Sequence, residues 1–500
     1  MSKIHSPKFL FLALLIAAVG VLSPHAEAQQ TPRTDAVYNG WISAYQVADG
    51  SNFFIAKSLT DRSDGFWSEG YGIFEAEDAY FQDHSASRYT QIVQLLNDFL
   101  TKNGNNWGGD SWDDDLEWII YAYIRGYQMT GNTAYLTAAA NNWNLVYSRG
   151  WDSTFGGGIW EENSGRDSKC ILSNGPFVIE GVLLYRATGT STYLTESEQA
   201  YEWVRNNLFN YTNTTNAKGV PGQADECIHA SGLAVSDNVY NTGLIVNAAN
   251  SLYRETLSSE YYGDVQLAAS HVMSKWPIMS ASNPDNFFRG IAAFATQNNL
   301  WSTYNTYVQN NANAAWNERR TDYNITNNNW TVPTTTTGNI VSMDSGASIT
   351  VQAVLPVSFS FSGNYEILCD SGLVLDVSGG STSGGAAVVQ TAYTGATNQL
   401  WTFVSTAGGY FQIKNVKSGL VLNVKGHSTT SGALIQQYGP QGMQPGNDEW
   451  MPALNSDGTY SFYNLNSNMA LEIFGSTSGT QFEQNFANNN TDQKFTLIKR

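Results

Sequence analysis

From about residue 35 to 355, apolar positions recur three and four residues apart, the period of helices with one buried face. Turn signals interrupt the pattern roughly every 45 to 70 residues. One unit returns at these turns: Tyr127-Gln-Met-Thr-Gly-Asn, Tyr185-Arg-Ala-Thr-Gly-Thr and Tyr253-Arg-Glu-Thr, with Tyr80 and Tyr89 as a weaker copy. A helix–turn–helix unit repeated at this length predicts stacked helical hairpins, and about six of them close into an α/α toroid with one open mouth. The stretch Leu116, Trp118, Ile119, Ile120, Ala122, Tyr123, Ile124 is apolar nearly all round, which suits an inner helix and not a surface one.

Beyond residue 363 the period of three and four gives way to Val, Ile, Thr and Gly in alternation. "SGLVLDVSGG" at 371 returns as "SGLVLNVKGH" at 418 and "SNMALEIFGS" at 467, and each is followed by a strand-like run: "AAVVQTAY", "ALIQQY", "TQFEQNF". Each copy closes on an aromatic, in "NQLW", "NDEW" and "DQKF". Three all-β repeats of about 45 residues predict a β-trefoil. The chain is therefore read as an (α/α)6 toroid over 29–355, a short linker over 356–362 and a β-trefoil over 363–500.

Twelve residues before Tyr127 stands Asp115; the same count from Tyr185, Tyr253 and Tyr80 reaches Ser173, Asn241 and Ser68. Polar residues thus start each inner helix, and in a toroid those starts share one rim. Ser, Asn and Asp are also the preferred N-caps, which explains part of the pattern. "DSWDDDLEW" at 110–118 is the richest start. Asp113, Asp114 and Asp115 read either as a cap that favours the helix dipole or as a catalytic pair. Glycoside hydrolysis needs two carboxyls, about 5–5.5 Å apart in retaining enzymes and about 6.5–9.5 Å in inverting ones. Neighbouring residues fit the shorter spacing, and both reach one sugar only at a helix entry, where adjacent side chains have not yet diverged by about 100°.

The amino terminus reads as a secretory leader over residues 1–28: Lys3 and Lys8, the apolar run "FLFLALLIAAVGVL", then Ala26-Glu27-Ala28. The run is shorter than the ~20 residues of a membrane span. The formal charge is −18, and removing the leader makes it one unit more negative. Such a charge argues against nucleic acid and anionic membranes as partners and suits a secreted monomer, extracellular or periplasmic, acting on a neutral polysaccharide. Fifteen Trp and 27 Tyr offer flat faces for sugar rings, although aromatics also fill cores. Trp107, Trp151 and Trp160, in Gly-rich loops, are candidate platforms. Cys170, Cys227 and Cys369 make no metal spacing; a Cys170–Cys227 bridge is compatible with them, and three buried free thiols are the simpler reading. The six histidines form no ligand pairs, so neither a metal nor a cofactor is expected. Gly156-Gly157-Gly158 lacks the frame of a phosphate loop, and no serine-esterase elbow is present.

Residues 37–355 resemble glycoside hydrolase family 76, the α-1,6-mannanases, on "DDLEW" with "TGN" after it, "WDSTFGGGIWEE", "KCILSN", "VYNTG", "FFRGI" and "AWNER". The resemblance implies an (α/α)6 barrel that hydrolyses α-1,6-mannan with retention, endo action favoured, with Asp114 as nucleophile and Asp115 as acid/base. Asp113, Trp107, Trp160, Ser173, Asn174, Tyr240 and Asn241 are the expected substrate-binding residues. The chain departs from the family at Gly175 (usually Glu), at Ile119 (usually aromatic) and in the extra Asp113. Residues 363–500 resemble the ricin-type β-trefoil lectins. That resemblance implies sugar binding by Asp376, Tyr393, Asn398 and Gln399 in the first repeat and by Asn423, Tyr438 and Asn447 in the second, with Glu472, Phe486 and Asp492 the weakest set. Trp401, Trp450 and Phe495 are read as core. Rival readings are transglycosylation or lysis on the same toroid, and a non-catalytic lectin or adhesin.

Overall fold

The computed structural model describes residues 32–500, so the leader lies outside the described residues. Among the described residues, twelve α-helices alternate between two rings. The inner ring is α2 (Phe66–Asp83), α4 (Asp113–Thr130), α6 (Ile171–Thr188), α8 (Val239–Thr256), α10 (Asp285–Gln297) and α12 (Ser342–Ala353). Each packs on the next, and α12 returns to α2. The outer ring is α1 (Pro32–Tyr45), α3 (Ala86–Asn103), α5 (Thr133–Gly150), α7 (Ser191–Asn207), α9 (Ser259–Lys275) and α11 (Trp301–Asn317). The toroid expected from the hairpin repeat is thus closed. No described helix is long and apolar enough to cross a membrane.

The recurring tyrosine marks where inner helices stop. The N–H groups of His84, Gly131, Gly189 and Leu257 donate to the carbonyls of Tyr80, Tyr127, Tyr185 and Tyr253 at 2.7–2.8 Å. All four donors are left-handed caps. Two-residue turns follow at 84–85, 131–132, 189–190 and 257–258, whereas the loops that enter α6 and α8 run over 151–170 and 208–238. The toroid therefore has a blunt face at the inner-helix C-termini and a loop-rich face at their N-termini. Inner helices touch closely: a Cβ at Gly290 of α10 would meet the Asn247 backbone of α8 at 2.8 Å. Glu75, Glu117 and Glu180 are fully buried between these helices, and burial holds their carboxyls well above the usual range.

The cysteine expectation is corrected. Residues 168–170 pair with 227–229, Cys170 lies directly opposite Cys227, and the two form a disulfide (S–S 1.98 Å). Cys369 is the free, buried thiol.

The C-terminal unit is a β-trefoil. Strands 365–369, 401–405, 411–415, 450–454, 460–464 and 495–499 close a six-stranded barrel. Each repeat adds a hairpin, over 374–391, 421–438 and 470–485. Trp401 and Trp450 are fully buried, and their indole N–H groups donate at 3.0 Å to the carbonyls of Leu375 and Leu422, one repeat apart. Phe495 takes that place in the third repeat without a donor.

The trefoil sits on the blunt face. Arg186 and Arg254, in the last turns of α6 and α8, donate to the carbonyl of Asn466, and Arg254 also to that of Leu465. Phe486 packs on Tyr127, and Tyr463 stacks on His84 with ring centres 3.5 Å apart. A cavity of about 300 Å3 remains at this junction, lined among others by Tyr121, Arg125, Arg254, Trp301 and Tyr410.

His84 gives the junction a pH dependence. Its ring is buried beside Tyr80, Phe81 and Tyr463 with no partner for either nitrogen, and burial lowers it from 6.5 to about 3. The folded protein refuses a proton that the unfolded chain accepts. This contribution to stability is complete above pH 6.5 and drains away as the pH falls toward 3. His84→Asn, which tolerates the left-handed backbone, is expected to unfold with one proton less pH dependence between pH 6.5 and 4 than the wild type. Thermal midpoints across that range measure it.

Candidate active site

The sequence spacing becomes a level in the structure. Ser68, Asp115, Ser173 and Asn241 are each the third residue of their inner helix, and Trp67, Asp114, Leu172 and Tyr240 the second. These residues form one tier at the loop-rich face, an 18-residue helix or about 27 Å from the trefoil.

Asp114 and Asp115 are partly exposed, while α4 is almost wholly buried from Leu116 to Gly126. Below them an aromatic floor spans the axis. Trp118 lies between Tyr71 of α2, at 5.1 Å, and Tyr240 of α8, at 6.0 Å between ring centres. The Tyr71 hydroxyl donates at 2.7 Å to Asp285, the first residue of α10. Four inner helices thus meet under the two carboxyls.

Burial, then the Asp115 and Glu161 charges, hold Asp114 well above the usual carboxyl range, and one of its oxygens has no protein partner. Burial, then Asp110 and Glu161, push Asp115 up to about 7. Backbone N–H groups at the helix start favour ionised Asp114 but do not outweigh burial. Neighbouring acids of this kind titrate as a pair, so near neutral pH the pair retains a proton. Both carboxyls are raised, so the pair without substrate does not distinguish nucleophile from acid. A sugar with developing positive charge favours the ionised form of whichever carboxyl faces its anomeric carbon.

Several expected substrate-binding residues are corrected to supports. Asp113 is fully buried and ion-paired to Arg149 at 2.6 Å. Burial pushes its carboxyl up to about 7, against the pull of Arg149. Its second oxygen lies against Gly150, where a Cβ would come within 2.7 Å. Trp107, 3 % exposed, packs on Phe99 and Tyr123 and offers no face to a sugar. Trp160, 5 % exposed, donates to Asp152 and lies against the Lys169 ammonium. Lys169 donates to Asp152 and to the carbonyls of Thr154, Gly157 and Gly158, so the glycine run wraps a buried cation. Trp151 is half-buried and stacks on Tyr147. Ser173 and Asn174 are fully buried and clamp residue 159, Asn174 through both its amide groups to the Ile159 N–H and carbonyl. Asn241 is buried within the tier and donates to the Ser236 carbonyl. Tyr240 alone of this set is partly exposed toward the aspartates.

Sequence reasoning missed Tyr71, Asp285, Glu161 and Trp112. Trp112, 43 % exposed at the entry to α4, is the most exposed tryptophan among the described residues. Its adjacency to the three aspartates was the available signal.

In the trefoil, the first repeat brings its expected residues together. Asp376 accepts from Asn398, from the Thr391 hydroxyl and from Gln399, while Tyr393 is exposed beneath the Arg500 guanidinium. In the second, Asn423 bonds Gln436 and Gln441 beside an exposed Tyr438. Asn447 is a correction: it is fully buried and donates to the Val424 carbonyl, tying strands. In the third, Glu472 accepts from Asn485, Asn488 and Gln493, but Phe486 is spent on the toroid.

Residues 75–355 match the family described as Glycosyl hydrolase family 76, and residues 358–438 match Ricin-type beta-trefoil lectin domain-like. Among solved structures, the GH76A alpha-1,6-mannanase from Salegentibacter sp. HEL1_6 is 19% identical, with TM-score 0.56, covering 65% of this chain and 98% of its own. An inactive variant of that enzyme with two consecutive aspartates replaced by alanine, in complex with alpha-1,6-mannotetrose, is equally similar, covering 65% of this chain and 97% of its own. The family 76 mannosidase Bt3792 from Bacteroides thetaiotaomicron is 19% identical, with TM-score 0.54, covering 64% of this chain and 96% of its own. No curated protein matches the chain.

Proposed function

Since the chain belongs to glycosyl hydrolase family 76, we propose that it is a secreted, retaining endo-α-1,6-mannanase whose trefoil binds polysaccharide. The observation that carries the reading is the pair Asp114 and Asp115, partly exposed at one helix entry above the Trp118–Tyr240 floor. The Salegentibacter enzyme, inactive when two consecutive aspartates are replaced and then found with a mannotetrose, supports both the pair and the substrate. Asp114 attacks the anomeric carbon while the Asp115 proton passes to the leaving 6-oxygen, giving a mannosyl-Asp114 ester. Asp115, now ionised, takes a proton from water, whose oxygen displaces Asp114 with net retention. Tyr240 presents a hydroxyl beside the pair, and Trp112 a ring at the mouth. The disulfide and the leader pattern support export to an oxidising compartment.

The trefoil's first-repeat cluster around Asp376 is the best assembled of the three and is read as its sugar site. Binding there raises the local concentration of chain for the mouth.

Linear α-1,6-mannan is the test. Early products spread over several oligosaccharide sizes, with the α-anomer formed first by NMR, are expected. Mannose as the sole early product overturns the endo assignment. Products longer than the substrate when acceptor sugars are added favour the transferase, and no new reducing ends leave a lectin.

A further inference from the structure

Glu161 is a third carboxyl at the mouth, one that the two-aspartate reaction leaves without a role. Its position is fixed by several contacts. Its carbonyl accepts the Asp113 N–H at 2.8 Å, which joins residue 161 to the first residue of α4. Its own N–H donates to the Ser168 carbonyl at 3.0 Å. Its side chain accepts the Ser168 hydroxyl at 2.8 Å and lies 3.0 Å from the Cys170 sulfur. That sulfur belongs to the disulfide and has no proton to give, so the serine hydroxyl is the side-chain donor that favours ionised Glu161. The bridge and strand 168–170 therefore carry this carboxyl at a set distance from the start of α4.

The Glu161 charge acts on both Asp114 and Asp115. The other groups facing the pair are Asp110, which acts on Asp115, the buried Glu117 carboxyl, which interacts with Asp114, and the Tyr240 hydroxyl. Burial raises the Glu161 carboxyl itself, against the Ser168 hydroxyl, and the Glu226 and Glu162 charges add to that rise while His229 opposes it. Arg149, the nearby cation of α5, is spent on Asp113.

We propose that Glu161 is a positioning residue for this reaction: an anion fixed beside the aspartate pair that keeps the proton on Asp115 until the glycosidic oxygen takes it. The proposal rests on the reading of Asp114 and Asp115 given above. It acts in both halves of the cycle. Before cleavage, an adjacent negative charge makes Asp115 a weaker acid, so it stays protonated at neutral pH. Once the proton has gone to the leaving oxygen, the same charge makes Asp115 a stronger base toward the water that releases mannose from Asp114. No atom of Glu161 bonds to the sugar, and no proton passes through it.

The experiment is the pH profile of kcat/KM on linear α-1,6-mannan. In Glu161→Gln the alkaline limb is expected to move down by about one pH unit, with kcat at the acid optimum within about threefold of wild type. Ser168→Ala, which removes the hydroxyl that favours the charge, moves it the same way by less. Glu161→Asp keeps the charge and retains the wild-type limb. A limb that stays put in Glu161→Gln, or that moves as far in Glu161→Asp, overturns the proposal. The reading beneath it fails separately, by activity surviving in Asp114→Asn.

Discussion

Asp114→Asn is expected to cleave linear α-1,6-mannan on the order of 10⁴-fold more slowly than wild type, while still binding the polymer. The amide has nearly the shape of the carboxyl it replaces, and α4 continues unchanged beneath it. What is lost is the carboxylate charge that makes this oxygen a nucleophile toward the anomeric carbon. Asp115 remains a donor but has no partner to complete the displacement. Reducing-end release measures the rate, and affinity electrophoresis in mannan measures binding. Binding lost together with turnover marks a misfolded mouth, whereas turnover kept within tenfold removes Asp114 from the chemistry.

Asp113→Asn, one residue earlier, is expected to behave in the opposite way. Its carboxyl is out of reach of a sugar, and its partner Arg149 is 2.6 Å away with only 12 % of its side chain exposed. Burial already opposes the Asp113 charge, and Arg149 keeps the Asp110 carbonyl as a partner, so losing this charge-assisted bond costs about 1.5 kcal/mol. Denaturant unfolding should show that loss, with KM for mannan unchanged below the unfolding transition. An increase in KM at unchanged stability would return Asp113 to the substrate. The pair of variants separates adjacent acids that one string of letters does not.

The toroid was legible because its hairpins repeat a physical need. An inner helix has to stop, and the Tyr-x-x-Thr-Gly unit records the carbonyl and the left-handed residue that stop it. The trefoil was legible for the same reason, through strand alternation and the buried tryptophans that close two of its repeats. The aspartate pair stood out because a helix with almost no polar face begins with three acids. Side-chain direction was not legible. Trp107 and Trp160 sit in glycine-rich loops that look like a rim, yet both rings turn inward, since those glycines serve close packing and the Lys169 cage. Ser173 and Asn241 occupy the right level but are buried, whereas the residue before each, Leu172 and Tyr240, is partly exposed. Tyr71 and Asp285 meet across 214 residues of chain, and no local spacing announces such a contact. Glu161 gave no signal either, as a loop acid gains its meaning only once strand 168–170 and α4 hold it.

On the proposed function, the placement of the trefoil on the blunt end separates holding from cutting. A strand gripped by the trefoil lies about a helix length from Asp114 and Asp115, so the mouth acts on a different stretch of chain.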